Sequence, residues 1–172
     1  MSAAFDTATL WHELGHAHHV FNVDPSLDKV FVRATLDGSG EVEVLYATEL
    51  TGPDLVDNAL SACAFGFCSG NLELSCKILR SPPATGALFD AIIAADEPDL
   101  WSGALRASAD DIAIIRSAGA IDPNLWAASL ATAVTFVTSR GYQRKTAGWL
   151  AEYSRKGILV ISREDLCAMV PA

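Results

Sequence analysis

One five-residue stretch, His12-Glu13-Leu14-Gly15-His16, restricts what this chain can become more than any other feature. Two imidazoles four residues apart lie on one face of a helix, one turn above the other, so both can reach a single ion, while the carboxylate after the first projects beside them. The flanking residues favour that helix. From Phe5 to Phe21 the apolar positions Leu10, Leu14, Ala17 and Phe21 recur at three- and four-residue steps, and Asp6 or Thr7 can cap the start. A His-rich solvated helix end accounts for His18 and His19, which are expected to be solvated or to support the site. It does not account for the placement of Glu13.

A metal-binding helix needs a rigid body behind it, and the chain has the material. Its 172 residues, 51% hydrophobic and 19% charged, form a globular composition long enough for one domain with a core, taken here to span residues 1–172. The formal charge of -9 opposes binding to nucleic acid or anionic lipid, so neither is an expected partner. The longest apolar run, Ala59 to Phe67, falls well short of the roughly 20 residues that span a bilayer. With no basic-then-apolar signal at the N-terminus, a soluble cytoplasmic protein is expected. Cys63, Cys68, Cys76 and Cys167 make no CxxC pair, and buried reduced thiols are expected rather than a second metal site.

The rest of the chain reads as α+β, mostly helical with a small sheet or hairpin. Asp28 to Leu36 carries the β-branched and aromatic residues of a strand, Asp37-Gly38-Ser39-Gly40 breaks it, and Glu41 to Tyr46 alternates charged and apolar residues, as a half-exposed edge strand would. Gly52-Pro53-Asp54 opens a buried helix that continues to Phe67. Asn71 to Leu79 is a further segment, Thr85 to Ala95 a short helix, and Trp101 to Ala118 a longer one closed by Gly119. Asn124 to Ser139 and Tyr142 to Arg155 read as helices, Ile158 to Ile161 as a strand, and Ser162-Arg163-Glu164-Asp165 as the cap of a last helical turn.

A catalytic zinc takes three protein ligands and leaves a position for water, so the motif calls for a third His, Asp or Glu from elsewhere. A third His six residues beyond His16 is absent, because that position is Asn22, which excludes the metzincin arrangement. Glu73 on a later segment is one candidate. Asp111 is another, a carboxylate inside a helix among Ile112, Ile114 and Ile115.

At these residues the chain resembles the protease domain of FtsH-type zinc metalloproteases. His12 to Ala17 is similar to that family's HEAGHA, Leu27 to Val32 to its following strand, Leu55 to Gly70 to its second helix, and Gly157 to Leu166 to its closing strand-turn-helix. Ser108-Ala109-Asp110-Asp111-Ile112 resembles the SNDI segment whose aspartate is the third zinc ligand, which implies that role for Asp111. The resemblance covers most of the chain, with only the first and last of these matches carrying specific motifs. It implies a zincin-like peptidase fold holding Zn2+ through His12, His16 and Asp111. Gly70 and Asn71 depart from it, standing where the family has paired glutamates. There is also no Walker motif and no membrane segment, so a stand-alone peptidase domain is expected.

The implied activity is zinc-dependent hydrolysis of peptide bonds in a protein or peptide substrate, with Glu13 as general base. An ATPase or regulatory partner acting in trans, and a homo-oligomer, are compatible with it. The edge strand Glu41 to Tyr46 offers a backbone for an extended substrate. The rival reading is a binding or regulatory module that resembles the peptidase and no longer cuts. Trp101, Trp126 and Trp149 are expected as core or interface anchors, and Trp11, which borders the motif, as a core residue or, as the lesser alternative, a wall of the cleft. Arg140, Arg144, Lys145, Arg155 and Lys156 read as a solvated basic face.

Overall fold

The computed structural model describes residues 7–34, 40–44, 50, 52–81, 90, 94, 109–119, 122–156 and 158–167. Among them the order is α1 (Thr7–Val23), β1 (Lys29–Ala34), β2 (Gly40–Val44), α2 (Pro53–Gly70), α3 (Leu72–Leu79), α4 (Ala109–Ser117), α5 (Pro123–Thr138), α6 (Arg140–Lys156), β3 (Ile158–Ser162) and α7 (Arg163–Cys167). The chain is thus mostly helical with one small antiparallel sheet. The expected helix from Thr85 to Ala95 lies outside the described residues except for Asp90 and Ala94, which are helical, and so do positions 101–108 of the longer helix after it.

The centre of the fold is α2, whose residues from Ala59 to Cys68 are all buried. A helix apolar around its circumference has to be enclosed, and α1, α3, α4 and α5 pack around it. The closest of these pairings is with α1, and Gly15 makes it possible. A Cβ at Gly15 would lie 2.6 Å from both the Ala62 Cα and the Ser61 carbonyl oxygen, which are backbone atoms of the facing helix. The Ser61 hydroxyl donates a hydrogen bond of 2.9 Å to the Gly15 carbonyl oxygen across this contact.

The sheet order is β2-β1-β3, with β1 antiparallel to both neighbours. Val30, Val32, Leu159 and Ile161 form its buried side, and β2 at the edge backs onto α1. Arg163 closes the chain onto the turn after α1. Its backbone N–H donates to the Asp28 carbonyl at 2.8 Å, its Nε to the Leu27 carbonyl at 3.0 Å and a guanidinium nitrogen to the Asp24 carbonyl, while the guanidinium lies 5.0 Å over the Phe21 ring. α5 starts as its sequence dictates, with Pro123 in the first turn and the Asp122 carboxylate accepting from the Asn124 N–H at 2.9 Å.

Three expectations change or narrow. His18 is not solvated: its ring is 5.7 Å from Phe65 and 5.0 Å from Phe136, and burial pulls its pKa down to about 4, helped by the neighbouring charge of His19. Trp11 is buried in the core with Trp126 and Trp149, rather than shown lining a cleft, and Trp101 lies outside the described residues. Cys63 and Cys68 are buried free thiols, Cys76 is partly buried and Cys167 is exposed. No helix among the described residues is long and apolar enough to cross a membrane.

Replacing Gly15 by Ala should destabilise the protein by about 3 kcal/mol, the upper end for forced overpacking, because the atoms in the way are backbone and cannot rotate aside. Thermal unfolding should show this as a loss of roughly 6–12 °C in Tm. An unchanged Tm would mean that the two helices do not approach this closely.

Candidate metal centre

Three helices build the site. α1 supplies His12 and His16, one turn apart on the side facing α2 and α4, with their rings edge to face at 4.9 Å between centroids and an interplanar angle of 87°. α4 supplies Asp111 from its first turn, where the helix dipole favours a carboxylate, and Ile112 and Ile115 anchor that helix in the core. α2 supplies the support. The helix pairing sets Asn58 beside His16, and its Oδ1 accepts from the His16 Nδ1–H at 2.7 Å.

The Nε2 atoms of His12 and His16 are 3.2 Å apart. Asp111 faces both, with Oδ2 at 3.0 Å from His12 Nε2 and Oδ1 at 3.5 Å from His16 Nε2. These side chains form the group, among the described residues, that could hold a metal ion. Glu13, His12 and Asp111 are 2%, 4% and 5% exposed, so the charges of the site are enclosed by protein.

The electrostatics follow from that enclosure. Burial disfavours a protonated His16, but its hydrogen bond to Asp111, the charges of Asp111 and Glu13 and the bond to Asn58 overcome it and raise the imidazole to about 9. Burial also pushes the Asp111 carboxyl up. Hydrogen bonds from His12 and His16 and the charges of both rings outweigh that push and hold it well below the usual carboxylate range. A buried carboxylate facing two ring nitrogens is an arrangement that could hold a metal ion. One turn further along α1, burial pulls His19 down against the opposing charges of Asp57 and Asp54.

His12, His16 and Asp111, named from sequence, are brought together, and the enclosed Glu13 adds its charge to those acting on His16. Glu73 is not part of the group: it is exposed on α3 and pairs with Lys77 at 2.7 Å. Asp110 is also exposed. Gly70 and Asn71, the positions that depart from the family resemblance, occupy the α2–α3 junction, where Gly70 is exposed and the Asn71 amide donates to the Phe67 carbonyl at 3.2 Å. Support for the site comes instead from Asn58 and Ser61, which the sequence reading missed. A signal for them was present: Asp54, Asp57, Asn58 and Ser61 form a polar stripe at helical spacing on an otherwise apolar helix.

Comparison with protein-family models, with curated proteins and with solved structures returned no match for this chain.

Asp111→Ala should remove metal binding at dilute metal, read as zinc retained after dialysis. Asn58→Ala should weaken it by about 10- to 100-fold, because the Nδ1 bond orients the ring and fixes its tautomer. Full zinc retention in both variants would rule this ligand set out.

Proposed function

We propose that the chain is a zinc-dependent metallopeptidase, with His12, His16 and Asp111 as metal ligands and Glu13 as general base. The observation that carries this reading is the convergence of the His12 and His16 Nε2 atoms, 3.2 Å apart, on the Asp111 carboxylate, whose Oδ2 is 3.0 Å from His12 and whose Oδ1 is 3.5 Å from His16. Tetrahedral zinc with bonds of about 2.0–2.1 Å spaces its ligand atoms about 3.3 Å apart, and the 3.2 Å between the two Nε2 atoms is close to that value. Two imidazoles and a carboxylate suit zinc among common divalent ions, and Asn58 on His16 Nδ1 directs the Nε2 lone pair to the shared point.

Zinc bound in such a centre lowers the pKa of a water and polarises a carbonyl. The chain's own residues do the rest. Asp111 and the two histidines hold the ion against the N-terminal half of α1, where Glu13 follows His12 directly. Glu13 takes the proton of the attacking water and returns it to the leaving amine.

The resemblance of this helix and of the Asp111 segment to FtsH-type peptidase domains extends the proposal to a zincin-like fold and to protein substrates. Gly70 and Asn71, which depart from the resemblance, lie where α2 joins α3, and the side-chain support of His16 comes from Asn58.

Glu13→Gln should keep one zinc per chain and lower cleavage of an unfolded casein-like substrate by at least about 10²-fold, the lower end for loss of a general base. Retained turnover contradicts the role of Glu13. Zinc without cleavage in the unsubstituted protein would instead favour a binding or regulatory module.

A further inference from the structure

One turn along α1 from His16, residues of α1, α2 and α5 line an open pocket that the peptidase reading does not use. It is a cavity of about 230 Å³, lined by His19, Asn22, Asp57, Ser129 and Thr132 among others. That volume is below the roughly 300–1,000 Å³ of sites for drug-sized ligands and matches a single amino-acid side chain. The pocket borders the helix pair that carries the centre: Ser61 in its lining donates to the Gly15 carbonyl, and Asp57 precedes Asn58, whose amide oxygen is 2.7 Å from His16 Nδ1.

The lining selects the charge of an occupant. Asp57 is its carboxylate; its basic-capable side chains are His18 and His19, both of which burial disfavours in the charged form, and no lysine or arginine lines it among the described residues. The hydroxyls of Ser129 and Thr132 and the amide of Asn22 add acceptors around it. The cavity also lies at the C-terminal end of α1, where the helix dipole is negative, and α1 has no basic side chain in its last turn. Arg163, which comes near this end, is committed to the carbonyls of Asp24 and Leu27. A metal ion is not the occupant the lining describes, since the one cluster of metal-ligating side chains among the described residues is that of His12, His16 and Asp111.

We propose that this cavity is a subsite for a basic side chain, arginine or lysine, of the bound peptide, with Asp57 as its counter-ion and specificity determinant. The proposal rests on the peptidase reading for its substrate class. It predicts a preference for peptides with a basic residue near the scissile bond, set by α2 rather than by the metal ligands.

The test uses zinc-loaded protein carrying Glu13→Gln, so that bound peptide is not cut, and two fluorescent peptides differing only in one arginine or its neutral isostere citrulline. Binding is read by anisotropy. The arginine peptide should bind about ten-fold tighter or more, the scale of one charge-assisted hydrogen bond. Adding Asp57→Asn should bring the ratio close to one with zinc content and citrulline-peptide affinity unchanged, and Asp57→Glu should restore part of it. A ratio near one in the parent, or one that Asp57→Asn leaves intact, overturns the subsite. The peptidase reading fails separately: an unsubstituted zinc-loaded protein that cuts nothing but keeps the Asp57-dependent arginine preference would retain the subsite as a binding site. Cleavage without that preference would retain the peptidase and remove the subsite.

Discussion

The absence of a side chain at Gly15 is the constraint on which the rest depends. Because nothing projects there, the backbones of α1 and α2 meet at Ser61 and Ala62, and the Ser61 hydroxyl fastens the contact. That approach brings Asn58 to 2.7 Å from His16 and sets the histidine pair at a fixed distance from the buried helix. α2 then carries α4 on another side, and α4 delivers Asp111 to the same point. Sequence, packing and site are linked through one residue: a larger side chain at position 15 would separate the helices and move His16 away from its support.

The site is asymmetric in its support. His16 is held at Nδ1 by Asn58 and at Nε2 by the shared centre, whereas the buried Nδ1 of His12 has no hydrogen-bond partner among the described residues.

Much of this was legible from residue order. The three- and four-residue apolar steps of α1, the Gly-Pro-Asp start of α2 and the alternation of β2 are local patterns, and each element lies where its pattern predicts. Asp111 was legible because a carboxylate followed by Ile112, Ile114 and Ile115 is costly unless paired. What escaped depends on contacts between distant segments. Asn58 lies 42 residues from His16 in sequence, and only the pairing of two helices joins them. His18 looked solvated because it belongs to a His-rich helix end, yet Phe65 and Phe136, far along the chain, pack against its ring. Cys167 looked like a small buried hydrophobe, and the short α7 leaves it exposed.

Zinc K-edge X-ray absorption on zinc-loaded protein tests the central claim most directly, since it reads the ligand atoms independently of turnover. The expected result is a four-coordinate centre of nitrogen and oxygen at about 2.0–2.1 Å, with the outer-shell scattering of two imidazoles. A sulfur shell at about 2.3 Å would place the ion on the cysteines, and six oxygen neighbours would place it on surface carboxylates. Either result would contradict coordination by His12, His16 and Asp111.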